Sequence, residues 1–262
     1  MKSIVLPPLL ITSCVKTSAP FTRLIDTNQR IQLTIEAISQ WLKICPDIKI
    51  VICDGSEVDF SNEIHESLPK AEIEFLTFKN NSKLVSRYGK GYGEGEIINY
   101  ALKNSKFLRN SVFFAKCTSK LFVKNFLAVL KKWNGTYIFQ CNFLGVSFFK
   151  NLFGIRTVSD IKFLSVHTSF YVINKKLYLK NFSQAYLRIR DKEGIKMEYV
   201  FKEVIIENKI QNFMLDFPLK IEGISGTTGN FYRKIGPFRY LKKMLHSLII
   251  KKNNSFSNFF IS

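Results

Sequence analysis

Short, almost unbroken apolar runs alternate along this chain with longer stretches in which apolar residues recur every three or four positions. Ile4–Val15 and Ile48–Cys53 are the clearest runs, and each reads as a strand buried on both faces. Ala71–Phe78 alternates polar with apolar, through Ile73 and Phe75, and predicts a third strand. Ser111–Ala115 predicts a fourth, with Thr136–Asn142 and His167–Ile173 as further candidates. Between the runs, Ile31, Thr34, Ile35, Ile38, Trp41 and Leu42 share one helical face, with Thr27 or Asn28 as its cap and Pro46 as its end. Helices are also predicted over Glu96–Lys106, Leu121–Trp133 and Gly194–Lys209, the last burying Met197, Val200, Phe201, Val204 and Ile205. Strands alternating with helices predict an α/β fold: one domain over residues 1–230, with a mostly parallel central sheet flanked by helices.

Composition narrows the partner more than the fold. At 262 residues and 46% hydrophobic, with 25 phenylalanines, the chain can fill a large core, which excludes global disorder. Its net charge of +19 calls for an anionic partner: nucleic acid, acidic lipid or phosphorylated small molecules. The cysteines (Cys14, Cys45, Cys53, Cys117, Cys141) are odd in number and scattered, which indicates neither a zinc site nor a disulfide framework and fits a reducing cytoplasm. Lys2 before Ile4–Val15 raises a signal peptide, but Pro7-Pro8 interrupts the run and no small-residue cleavage site follows, so a buried strand is expected. No run of about 18 apolar residues predicts a membrane span. Residues 231–262 differ in kind. After Glu222 there is no acid, while Phe238, Leu241, Leu245, Leu248 and Ile249 form an apolar stripe opposed by lysines, the pattern of a basic amphipathic helix on an anionic membrane surface.

Two segments carry the chemistry. The strand Ile48–Cys53 runs into Asp54-Gly55-Ser56, which puts a carboxylate, an acceptor for ribose or base, at the carboxyl edge of the sheet. The stretch Tyr88–Gly95 reads as a glycine-rich loop opening onto a helix, with Lys90, Gly91 and Gly93 offered to phosphate and Glu94 beside them. A second glycine- and hydroxyl-rich loop, Glu222–Gly229, precedes Arg233 and Lys234.

The order of these pieces resembles bacterial GT-A-class glycosyltransferases that build lipopolysaccharide O-antigen or capsule, over roughly residues 3–230. Asp54-Gly55-Ser56 after its strand and Gly93-Glu94-Gly95-Glu96-Ile97-Ile98-Asn99-Tyr100-Ala101-Leu102 carry the resemblance. It implies a nucleotide-sugar donor and a lipid-linked or lipopolysaccharide glycan acceptor; with the basic tail, the expectation is a cytoplasmic enzyme peripheral to the inner face of the cell membrane. That class also implies an Asp-x-Asp pair holding a divalent metal after the next strand. Here Val112–Ala115 runs instead into Lys116-Cys117-Thr118-Ser119-Lys120, and the chain has no Asp-x-Asp. The departure counts against magnesium or manganese. Lys116 and Lys120 are expected near the diphosphate, with Thr118 or Ser119 donating hydrogen bonds. By position in the class, Glu198 is the candidate base for the acceptor hydroxyl and Asp160 the second; His167 reads as structural. The alternatives are a basic nucleic-acid-binding protein, though no such motif is present, and a non-catalytic member of the same fold.

Overall fold

The computed structural model describes residues 5–17, 19, 22–144, 162–232 and 236–252. Its centre is a six-stranded sheet in the order β3-β2-β1-β4-β9-β6. Strands β1 (Leu9–Ser13), β2 (Ile50–Asp54), β3 (Ile73–Thr77) and β4 (Phe113–Thr118) run parallel. Strand β9 (Phe170–Asn174) pairs antiparallel with β4, and β6 (Tyr137–Ile138) antiparallel with β9. Two small antiparallel pairs join β5 (Leu121–Val123) to β10 (Ile221–Gly223), and β7 (Cys141–Leu144) to β8 (Lys162–Val166). The α/β architecture and the mostly parallel sheet are those the apolar runs predict.

Both faces of the sheet are covered, which is why its strands read as continuous apolar runs. On one side α1 (Thr27–Ile44) lays Ile31, Ile35, Ile38 and Trp41 against Leu9, Ile11, Ile50, Ile52 and Ala115. On the other, α4 (Lys90–Asn104) and α8 (Met197–Glu207) meet Leu10, Val51, Cys53 and Phe114. Shorter helices α2 (Ser61–Ser67), α3 (Ser82–Tyr88), α5 (Lys106–Arg109), α6 (Phe126–Leu130) and α7 (Lys175–Asn181) fill the connections, and α9 (Pro237–Lys252) follows the last strand. Among the described residues no helix is long and apolar enough to cross a membrane.

Several local expectations are corrected. The first strand begins only at Leu9, after the two prolines, and the cap of α1 is Asp26, whose carboxylate accepts from the Gln29 amide at 2.6 Å. The helix predicted over Leu121–Trp133 is mostly absent. Leu121–Val123 pairs with Ile221–Gly223 from far along the chain, and only Phe126–Leu130 is helical. Lys120, at φ 70°, turns the chain into that pairing. The predicted strand Thr136–Asn142 is divided between β6 and β7, which belong to different sheets.

The glycine-rich stretch is not a loop. Helix α4 begins at Lys90, so Gly91, Gly93 and Gly95 lie inside it and are buried. They let the helix approach its neighbours: a Cβ on Gly95 would collide with the Tyr186 ring, and one on Gly91 would sit 3.0 Å from Ile189. Gly89, at φ 105°, makes the sharp entry, in the left-handed region that favours glycine.

Candidate functional site

The register of the sheet assembles the site. Thr12 pairs with Cys53 on one side and Thr118 on the other, and Ser13 pairs with Asp54, so the carboxyl ends of β1, β2 and β4 are level. The chain crosses from β1 to β2 in one direction and returns to β4 on the far side. The loops therefore part above β1 and β4, the place where open parallel sheets hold ligands. A cavity of about 470 Å³ lies there. Its walls include Gly55, Lys90, Gly93, Glu94, Thr118, Lys120 and Glu198, residues far apart in sequence and all among the expected site residues.

Not all of the expected residues face it. Asp54 is buried, and its carboxylate is engaged within the protein: Oδ2 accepts from the Val15 amide at 2.9 Å, and Oδ1 from the Ser56 amide at 2.8 Å and from the Ser56 hydroxyl. It ties together the loops leaving β1 and β2, the cavity's rim. Gly55 lies against Asn80, where a Cβ would come within 2.5 Å of Nδ2. Gly91 packs toward Ile189 and Met197. The start of α4 also faces a carboxylate of the protein: a Cβ on Gly89 would collide with Asp191 Oδ2, and the Lys90 and Gly91 amides act against the rise that burial gives the Asp191 pKa. A carboxylate of the protein thus stands where a helix N-terminus would offer an anion site. Asp160 lies outside the described residues, as do Arg233 and Lys234.

Lys116 and Lys120, four residues apart, have opposite surroundings. Lys116 is fully buried; its ammonium lies 2.5 Å from Glu94 Oε1 and donates to Thr118 Oγ1 at 2.9 Å and to the Thr168 carbonyl at 2.8 Å. Glu94 Oε1 also accepts from Thr12 at 2.9 Å and Thr118 at 3.2 Å. Burial by itself would push the Glu94 carboxyl up, but the Lys116 charge and these hydrogen bonds outweigh it and hold the group below the usual carboxylate range. Lys120 is equally buried and has no ion pair among the described residues; its ammonium donates to Ser119 Oγ at 2.8 Å. Burial, with Arg30 alongside, lowers its pKa to about 7.

Three contributors were missed in the sequence. Arg30 is buried in the cavity wall, donating to the carbonyls of Cys14, Leu24 and Gly226. An arginine one position before Ile31 on the apolar stripe of a helix was the available signal. Asp191 has none, since the helix start it faces lies about a hundred residues away. Tyr232 also lines the cavity; burial raises its phenol, and the charges of Glu198 and Glu94 add to the rise, so it stands near both carboxylates. His167 is outside the cavity wall, and burial, then the Lys243 charge, lower it to about 4, leaving a neutral imidazole.

The segment after β10 straps across the cavity through Ser225, Gly226 and Thr227. Arg30 Nη1 donates to the Gly226 carbonyl at 2.9 Å, Lys90 Nζ lies 3.0 Å from Thr227 Oγ1, and the Arg23 amide bonds the Thr227 carbonyl at 2.7 Å. The residues do not fit a divalent metal. At the end of β4 the groups are an ammonium, hydroxyls and a second ammonium; Glu94 Oε1 is held by Lys116, and both Asp54 oxygens are engaged by Val15 and Ser56. Among the described residues no group of three or more His, Cys, Asp or Glu could hold a metal ion.

No family model matches this chain, and no curated protein matches it in sequence. Its fold is similar to that of several solved structures. A protein from Desulfovibrio desulfuricans, provisionally named a nucleotide-diphospho-sugar transferase, is 12% identical with a TM-score of 0.47, over 97% of each chain. Core-mannan synthase A from Aspergillus fumigatus is 10% identical with a TM-score of 0.47, over 95% of this chain and 86% of its own. The 4-diphosphocytidyl-2C-methyl-D-erythritol synthase from Anaerococcus prevotii is 10% identical with a TM-score of 0.46, over 95% of this chain and all of its own.

Proposed function

We propose that this chain is a glycosyltransferase that moves a sugar from a nucleotide-sugar donor to a lipid-linked or lipopolysaccharide glycan acceptor at the inner face of a bacterial cell membrane, in the assembly of a surface polysaccharide. One observation carries the reading. A cavity at the parting of β1 and β4 joins buried cations suited to a diphosphate with two carboxylates, Glu94 and Glu198, that would face a sugar. Glu94 is held ionised by Lys116, so it suits stabilising positive charge that develops at the anomeric carbon. Glu198, on the first turn of α8, takes the proton of the acceptor hydroxyl as that hydroxyl attacks. Lys120, Thr118 and Ser119 meet the leaving diphosphate, and no metal is required.

The membrane part of the reading rests on α9. Phe238 is 81% exposed, and Leu241 and Leu248 are exposed on the same helix among its lysines. Lys220, just before β10, lies 5.1 Å from the Tyr240 ring of this helix. Sedimentation should show binding to phosphatidylglycerol vesicles and none to phosphatidylcholine, with Leu241→Glu weakening the former.

The test of the reading is hydrolysis and transfer from UDP-, GDP-, CMP- and dTDP-sugars, each with magnesium or manganese and again with EDTA. Turnover of one series in EDTA supports it. Glu198→Gln should lower turnover about a hundredfold while leaving donor affinity in place. No turnover of any donor, with tight oligonucleotide binding, would replace the reading with nucleic-acid binding.

A further inference from the structure

We propose that Arg30 and Lys120 form a metal-free clamp for the diphosphate, closed from above by the Ser225–Thr227 strap. The inference rests on the nucleotide-sugar reading and names the groups that neutralise the leaving group.

The two cations converge on one point. A Cβ on Gly226 would lie 2.9 Å from Lys120 Cε and 3.7 Å from both Arg30 Nη1 and Nη2. Arg30 comes from the buried stripe of α1 and Lys120 from the turn after β4, so two elements bring like charges together beneath the strap. Like charges gathered out of water are costly without an anion between them. Asp54 is the carboxylate whose charge reaches both, and its oxygens are already engaged by Val15 and Ser56. One negative charge therefore serves two positive ones. The surplus is met by a ligand.

Donors remain for that ligand. Arg30 uses Nε once, Nη1 twice and Nη2 once, all toward backbone carbonyls, which leaves one of the five guanidinium hydrogens. Among the described residues Lys120 bonds only Ser119 Oγ, leaving two ammonium hydrogens. Ser13 Oγ, in the same cavity wall, is buried without a hydrogen-bond partner. The left-handed backbone at Lys120 is the strained conformation that aims this side chain inward. By contrast, Lys116 is paired with Glu94 and contributes no net charge. The cation role expected of both lysines therefore passes to Lys120 and Arg30.

The experiment is calorimetric titration of the full chain with inorganic pyrophosphate in EDTA, then with magnesium. Wild type should bind in EDTA, with little gain from magnesium. Lys120→Met should lower affinity at least about tenfold, the loss of one charge-assisted contact. Gly226→Ala removes no charge, yet its methyl crowds both cations, and it should weaken pyrophosphate as well. Folding of each variant is checked by its thermal transition. An unchanged affinity in a folded Lys120→Met, or binding that requires magnesium, overturns the clamp. If pyrophosphate obeys the clamp but no nucleotide sugar is turned over, the clamp stands and glycosyl transfer falls. If donors react only with metal, transfer stands and the clamp falls.

Discussion

Lys116 and Lys120 leave the same strand end, four residues apart and both out of water, yet one stands in a neutral corner and the other in a positive one. Glu94 lies 2.5 Å from the first ammonium. The second shares Asp54 with Arg30. A buried charge with its own partner builds the protein. A buried charge that must share a partner is held ready for something outside it. Sequence shows only two lysines after an apolar run.

The largest effect should come from breaking the neutral corner. Lys116→Met would leave Glu94 facing Thr12 and Thr118 with no cation, and losing one member of a buried pair costs about 3–5 kcal/mol. Denaturant unfolding should show that loss, and most of it should return in the double variant with Glu94→Gln. Lys120→Met should cost far less or even stabilise, because it removes a crowded cation. Equal losses at the two lysines would erase the distinction.

Gly95→Ala tests how the neutral corner is put in place. Gly95 follows Glu94 on α4, and its missing side chain lets that helix lie against Tyr186. A methyl there collides with the ring, so α4 must shift, at a cost of about 1–3 kcal/mol. Unfolding should show the loss, and pyrophosphate binding, seated on α1 and the turn after β4, should persist in the fraction that folds.

The sheet and its α1 cover were legible because two-sided burial writes itself as unbroken runs: LLITS and IVICD are strands by composition alone. The glycine stretch was legible as a place and misread as a conformation. Glycines that admit a phosphate and glycines that admit a neighbouring tyrosine look alike in one dimension. Leu121–Val123 read as helix because its partner strand lies a hundred residues on, and pairing at that range overrides local propensity. The same distance hid Asp191 from α4. Arg30 was the exception, being readable as a charge on an apolar stripe.

The smallest and most specific effect is in pH. Lys120 is lowered to about 7 by burial first and then by Arg30, with Asp54 and Cys14 acting the other way, and those groups are the charged and titratable ones that face it. Cys14 is raised to about 11, chiefly by burial and then by Asp54, so its thiol stays protonated through neutrality. In the unfolded chain Lys120 keeps its proton to about 10.4. Between about 7 and 10 the unfolded state therefore binds the extra proton, and this group's contribution makes stability rise with pH. The ligand works in the opposite direction. A diphosphate favours the charged ammonium, so its affinity should fall as pH passes above 7, and binding near pH 8 should take up protons. Titrations in buffers of different ionisation enthalpy measure that uptake directly. Lys120→Met should abolish it, whereas Glu94→Gln, in the corner already neutral, should leave it in place.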